Sequence, residues 1–151
     1  MTDQRELFHA NTLGIKNSIE DVIEDFELLE EWEERYAYII DLGKQLPAFP
    51  EEEKREENYI HGCQSQVWFI YHHEADDNRL LLLIESDAMI VRGLAAIILV
   101  AFNGKTPKEL LDTDIDAIFQ RLDLLRHVSA TRSNGLRSMV ARIQGVAEAL
   151  A

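Results

Sequence analysis

Residues 64–85 read QSQVWFIYHHEADDNRLLLLIE, and this stretch decides the fold. Its first half is rich in the aromatic and β-branched residues that strands favour, and its second half is an apolar run. Asp76-Asp77-Asn78 separates the two halves and is typical of a turn. The stretch therefore predicts an antiparallel hairpin, with strands over 64–73 and 79–85. Residues 58–60 are a candidate third strand, which would place Cys63 in the bend between two strands.

A long apolar segment follows the hairpin. Between Ala88 and Phe102 only Arg92 and Gly93 are not apolar. A membrane span needs about 20 apolar residues, whereas shorter runs are typical of buried core helices. Asn103-Gly104 ends the run as a helix C-terminus does. We therefore predict a central core helix, capped by Ser86 or Asp87, and no membrane association.

Amphipathic helices are predicted on both sides of the hairpin. Ser18 or Asn17 can cap a pattern that runs to Ile40 and fits either one helix or two. Thr106-Pro107-Lys108-Glu109 matches a capping box. A small antiparallel sheet packed against helices is an α+β architecture. The apolar positions at spacings of three and four are Ile19, Val22, Ile23, Phe26, Leu29, Trp32, Tyr36, Ile39, Ile40, Ile115, Ile118, Phe119, Leu122, Leu136, Met139, Val140, Ile143, Val146, Ala147 and Leu150.

Length and composition limit the possible functions. A chain of 151 residues predicts one domain, which we assign to residues 18–151. Residues 1–17 have weak periodicity and are expected to form a loosely ordered extension. The net charge of −13 argues against nucleic-acid binding, which needs a basic surface. Residues 1–6 lack the pattern of a signal or transit peptide, so we expect a reducing cytoplasm.

Cys63 is the only cysteine in the chain. A single thiol can form no internal disulfide and cannot hold a structural zinc alone, so any chemistry here uses one nucleophile or one carrier atom. Lone cysteines are commonly small buried hydrophobes. Here, however, Gly62 precedes Cys63 and gives the backbone unusual freedom. Three polar residues follow, Gln64, Ser65 and Gln66, and they could stabilise a thiolate.

His61 lies two residues before Cys63. In extended backbone both side chains project to the same side, so an imidazolium could lower the pKa of the thiol. The alternative is an exposed loop histidine without a partner. A zinc site combining Cys63 and His61 with another histidine has no recognisable ligand spacing. We therefore predict no metal.

The chain resembles the SufE family of sulfur acceptors from about Phe26 to Leu150. The most specific motif is the segment ENYIHGCQSQVWF at residues 57–69. Other segments match in the same order as in the family. They are Trp32-Glu33-Glu34-Arg35-Tyr36, Ile39-Ile40-Asp41-Leu42-Gly43, Leu46-Pro47, Ser86-Asp87-Ala88, Val91-Arg92-Gly93-Leu94, Thr106-Pro107 and Arg132-Ser133-Asn134-Gly135-Leu136.

This resemblance implies a function that composition does not show. Cys63 would accept sulfur from the persulfide of a SufS-type cysteine desulfurase and stimulate that enzyme. It would then deliver the sulfur to a SufBCD-type scaffold for iron–sulfur cluster assembly. Pyridoxal phosphate would belong to the desulfurase, and no cofactor is expected in this chain. The chain would be a sulfurtransferase-like carrier rather than a stand-alone enzyme.

The resemblance also implies a mobile cysteine loop, with Gly62 as its pivot. Arg132 would steady this loop or contact the desulfurase, and Asp87 falls near the expected docking face. Where the family often reads Ser-Pro-Ser-Arg, this chain has Ser129-Ala130-Thr131-Arg132, which puts the local turn in doubt.

Other functions remain open at this point. A CsdE-type acceptor, which serves a different desulfurase, has the same motif. The fold also resembles the IscU-type scaffolds, but those use three cysteines, so a single cysteine argues against scaffold activity. From other classes, Cys63 with His61 or His127 could form a thiol enzyme. An acidic helix face could instead dock a basic partner.

Overall fold

The structure is a computed structural model that describes residues 4–151. Two strands form one antiparallel hairpin, and eight helices surround it in this part of the chain. The predicted α+β class, a small sheet packed against helices, is confirmed. The elements are α1 (Gln4–Ala10), α2 (Ile19–Leu28), α3 (Trp32–Gly43), β1 (Val67–Glu74), β2 (Arg79–Ser86), α4 (Met89–Phe102), α5 (Pro107–Leu111), α6 (Ile115–Leu122), α7 (Leu124–His127) and α8 (Ala130–Leu150).

The hairpin forms where the sequence predicts it. Its register runs from Val67 opposite Ser86 to Glu74 opposite Arg79. Asn78 lies in the turn with a positive φ of 57°, which asparagine tolerates better than most residues. The third strand predicted over 58–60 is reduced to a single bridge between Tyr59 and Trp68, because residues 56–58 form a 3₁₀ turn.

The central helix α4 is buried along almost its whole length and lies between the hairpin and α3. Glycines let α3 and α4 approach backbone to backbone. A Cβ at Gly93 would lie 2.3 Å from the carbonyl oxygen of Ile39, and one at Gly43 would lie 2.6 Å from the nitrogen of Gly93. Any side chain at either position would force the two helices apart. In the described residues, no helix is long and apolar enough to cross a membrane.

The pattern from Ile19 to Ile40 forms two helices rather than one. Ser18 caps α2 in a reciprocal capping box with Asp21. Arg35 stabilises the connection between α2 and α3. Its Nε donates hydrogen bonds to the carbonyl oxygens of Phe26 (3.2 Å) and Leu29 (2.9 Å). The carbonyl oxygen of Phe26 also accepts a hydrogen bond of 3.0 Å from the backbone nitrogen of Leu29, so Arg35 adds a second donor to it and supplies one to Leu29 at the end of α2.

The expectation of a loosely ordered extension over residues 1–17 does not match the structure. Residues 1–3 lie outside the described part, but α1 covers the hairpin face that points away from the main core. Phe8 on α1 and Leu13 after it are buried. Two buried asparagines hold this segment. Asn11 donates to the carbonyl of Leu82 (2.8 Å), and Asn103 donates to that of Leu13 (2.9 Å).

Candidate functional site

A short loop carries Cys63 at the start of the hairpin. We define the cysteine loop as residues 61–66. It is closed at its base by a backbone hydrogen bond of 2.9 Å from the nitrogen of Ile60 to the carbonyl oxygen of Val67. The loop is therefore a short excursion between two paired stretches of backbone.

The tip of the cysteine loop packs on α8. Cys63 is half-buried, with its Sγ 3.7 Å from the carbonyl oxygen of Gly135. A Cβ at Gly135 would lie only 3.0 Å from that sulfur. Glycine at this helical position therefore leaves the space that the thiol occupies.

Gly62 is required by its own geometry. Its φ is +95°, a backbone conformation that other residues rarely adopt. A Cβ there would also lie 2.7 Å from Oγ of Ser138 on α8. The chain turns at Gly62 and brings the next residue, Cys63, down onto the helix.

Burial raises the pKa of the Cys63 thiol above its usual value. This direction is opposite to the one expected from an imidazolium partner. His61 instead pairs with Glu56, at 2.8 Å between Nε2 and Oε1, and is largely exposed. Its ring also packs edge-on against Tyr59. His61 is therefore paired with Glu56 rather than with the thiol, and burial disfavours the thiolate form of Cys63.

A small cavity adjoins the thiol. Its volume is about 20 Å³, enough for roughly one atom the size of a water molecule. Val91 and Leu94 of α4 and Met139 of α8 form apolar walls, and Gln64 and Ser65 of the cysteine loop also line it. A group held here would contact these apolar side chains.

Arg132 also lines this cavity, near the start of α8. Among residues 4–151, its guanidinium has no hydrogen-bond or ion-pair partner. Its backbone nitrogen donates to Oγ of Ser129 (3.2 Å), which caps α8. The local turn therefore forms although the chain has Ala130 where the family often has proline. Arg132 therefore lines the same cavity as the Cys63 thiol, with guanidinium donors that no group in residues 4–151 uses.

Neither Ser86 nor Asp87 caps α4, contrary to the prediction that one of them does. Ala88 occupies the capping position, and its nitrogen donates to Oγ of Ser86 (3.3 Å). Oδ1 of Asp87 instead accepts a hydrogen bond of 2.9 Å from the backbone nitrogen of Gln66. Asp87 therefore anchors the end of the cysteine loop.

Sequence reasoning missed the contacts that α8 makes with this loop. Gly135 was part of a matched segment, but nothing in the sequence pointed to its contact with Cys63. A glycine on the apolar stripe of a helix was the one available signal, because such a position often marks close approach. Ser138 gave no signal.

Other features of the described chain lie away from the thiol. A larger cavity, about 840 Å³, is an open cleft between α1, the hairpin turn and the end of α4, and it is lined by charges of both signs. Within residues 4–151, no group of three or more His, Cys, Asp or Glu side chains is arranged for a metal ion.

Comparisons with known proteins give a consistent result. Residues 20–147 match the model of the SufE family, described as an Fe-S metabolism associated domain. An uncharacterized SufE-like protein of Rhizobium meliloti is 48% identical over 133 residues, covering 87% of this chain and 95% of that protein. An uncharacterized SufE-like protein of Rhizobium etli is 46% identical over 129 residues, covering 84% of this chain and 87% of that protein. The solution structure of a hypothetical protein from Thermus thermophilus has the same fold. Its TM-score is 0.71 at 19% identity, covering 87% of this chain and 94% of that one.

Proposed function

This chain belongs to the SufE family, and from that premise we propose that Cys63 is a sulfur acceptor that carries a persulfide. The observation that carries the proposal is the position of the only cysteine. Cys63 lies at the tip of a loop closed at its base, beside a cavity of about 20 Å³. The cavity has room for about one further atom on the sulfur.

The proposed transfer is a thiol exchange. Cys63 first loses its proton to solvent, and its thiolate attacks the terminal sulfur of a persulfide on a cysteine desulfurase. The sulfur–sulfur bond of that persulfide breaks, and the desulfurase cysteine leaves as a thiolate that takes up a proton. A new sulfur–sulfur bond forms on Cys63. One bond replaces the other, so no external oxidant or reductant is needed.

The buried position of Cys63 supports a carrier that is closed between encounters. Burial raises the pKa of the thiol, so in the closed loop it is a poor nucleophile. Transfer then requires the cysteine loop to leave Gly135 and reach the partner. After transfer, return of the loop would place the added sulfur against Val91, Leu94 and Met139, away from other thiols.

The partner in this proposal is a SufS-type desulfurase, which would hold the pyridoxal phosphate and be stimulated when Cys63 removes its sulfur. A SufBCD-type scaffold would receive the sulfur. Arg132, unpaired among the described residues and lining the same cavity as the thiol, is suited to contact the desulfurase or the transferred sulfur anion. A lone reduced thiol suits the cytoplasm. A CsdE-type pairing would use the same residues with another desulfurase.

Intact-mass measurement tests the proposal directly. The protein is mixed with a SufS-type desulfurase, pyridoxal phosphate and cysteine without reductant. We expect added mass in whole sulfur atoms that disappears on reduction, and no gain in Cys63→Ser. Cys63→Ala should also abolish stimulation of the desulfurase while the fold is retained. Stimulation that survives in Cys63→Ala would sink the carrier role.

Arg132→Ala provides a second test of the proposed function. It should slow sulfur transfer while leaving the midpoint of thermal unfolding almost unchanged, because the guanidinium makes no contact that holds the described fold together. Arg126→Ala, on α7 and largely exposed, is the control for loss of one positive charge. Equal transfer rates in the two variants would remove Arg132 from the mechanism.

A further inference from the structure

Three residues of α8 contact the segment that leads to the thiol. Gly135 lies under Cys63, Ser138 lies under Gly62, and Arg142 reaches the chain just before the cysteine loop. Positions separated by three and then four residues lie on one face of a helix. This face of α8 therefore contacts the chain at Glu57, Tyr59, Gly62 and Cys63.

Arg142 supplies hydrogen bonds from this face of α8. We define residues 57–60 as the arm, which ends where the cysteine loop begins. Nη2 of Arg142 donates to the carbonyl oxygen of Glu57, and Nη1 lies 3.5 Å from that of Tyr59. A planar guanidinium can direct separate donors at two acceptors, which a lysine ammonium does less well. One side chain thus spans two peptide units of the arm.

The arm is also held from its other side. Tyr59 forms a bridge with Trp68 of β1, and their rings pack edge-on with centroids 5.7 Å apart. Asn58 donates to the carbonyl oxygen of Glu53 (2.8 Å). These contacts fix the position of the last residues of the arm. The backbone from Ile60 onward then determines which part of α8 the thiol contacts.

We infer that Arg142 is a positioning residue that holds the arm on α8 and thereby sets the closed position of Cys63. Its importance for sulfur transfer rests on the proposed function, but its effect on the closed loop does not. Without Arg142 the arm loses its charged contact with α8, so the thiol spends more time away from Gly135. With Arg142 in place, movement is confined to the loop beyond Ile60.

The test is the rate at which iodoacetamide alkylates Cys63 in the isolated protein. Arg142→Ala should raise this rate about fivefold, the effect of losing one partly exposed hydrogen-bonding contact from the closed state. Arg142→Lys keeps the charge and the apolar stem, so it should fall between the alanine variant and the unmodified protein. Arg137→Ala is the matched control. It removes an arginine from the same helix that pairs with Asp116 instead of the arm, and it should change the rate less than about twofold.

Thermal unfolding shows whether each variant is folded. If Arg142→Ala fails to fold, the alkylation rates of Arg142→Lys and Arg137→Lys are compared instead. Only Arg142→Lys should accelerate alkylation of Cys63. Equal alkylation rates in the paired variants would overturn the inference.

The same proteins, after sulfur loading by the desulfurase, give a second readout. Arg142→Ala should lose its persulfide to dithiothreitol faster than Arg137→Ala. If the unmodified protein takes up no sulfur, the proposed function fails, and the alkylation rates still decide the role of Arg142.

Discussion

The Cys63 thiol lies against the backbone of Gly135, with Sγ 3.7 Å from the glycine carbonyl oxygen, although the two residues are 72 positions apart in the chain. The contact closes the cysteine loop onto α8 and buries the sulfur enough to raise its pKa. Burial therefore disfavours the thiolate form of Cys63 while the loop lies on α8. Reactivity would then depend on how readily the loop opens rather than on an adjacent base.

Gly135→Ala should open the loop without harming the helix. The new Cβ would lie 3.0 Å from Sγ of Cys63, so the tip of the loop must move away. Overpacking of this kind costs about 1 kcal/mol or more, which would raise the rate of alkylation about fivefold. Gly145→Ala is the control, because a Cβ there meets no atom within 4 Å. It should stabilise α8 by about 0.7 kcal/mol and leave alkylation unchanged. Equal alkylation rates in the two variants would show that Gly135 does not set the position of the thiol.

Asp87→Ala should loosen the other end of the cysteine loop. It removes the acceptor for the Gln66 nitrogen, a charged hydrogen bond of 2.9 Å at an exposed site. We expect a loss of about 1 kcal/mol in the free energy of unfolding, measured by urea titration, together with faster alkylation of Cys63. Asp87→Asn keeps an oxygen acceptor and should restore most of both properties. If the asparagine variant behaved like the alanine variant, the charge of Asp87 rather than this hydrogen bond would be responsible.

Leu13→Ala tests the packing of the N-terminal segment. Leu13 is fully buried in the main core, so its truncation should cost about 3 kcal/mol in the free energy of unfolding. Leu28→Ala is the matched control, since that leucine is 80% exposed and its loss should change stability by less than about 0.5 kcal/mol. Urea titration of both variants makes the comparison. Similar midpoints would mean that residues 4–17 contribute little to the folded core.

The distance along the chain between contacting residues explains which features the sequence predicted. The capping boxes of Ser18 with Asp21 and Thr106 with Glu109 each lie within four residues, and the hairpin strands are joined by one turn. Such local patterns can be recognised directly. The bond from Asn103 to Leu13 spans 90 residues, and that from Gln66 to Asp87 spans 21. No periodicity encodes contacts of this kind.

The same reasoning applies to the candidate site. Cys63 and Gly62 were identified from a local motif and its resemblance to a family. The pairing of His61 with Glu56 could not be predicted, because it depends on the 3₁₀ turn at residues 56–58 that replaces the expected strand. The direction of the thiol pKa shift could not be predicted either, since it follows from burial against α8.

Glu74 should make stability depend on pH at the acidic end. Partial burial would raise the pKa of this carboxyl. The hydrogen bond from His9 (2.6 Å) and the charges of Arg5 and His72 outweigh burial, and the pKa falls below its ordinary value near 4.5. A carboxyl with a lowered pKa stabilises the folded state above its unfolded pKa, and that stabilisation is lost as pH falls through the folded value.

Glu74→Gln should therefore be less stable than the unmodified protein at about pH 6–7, and the difference should shrink as pH falls below about 4.5. Urea titrations across this range measure the difference. Asp76→Asn, which removes a carboxylate from the nearby hairpin turn, is the control for the loss of one negative charge. A difference for Glu74→Gln that did not change with pH would show that the charge of Glu74 does not hold α1 on the hairpin.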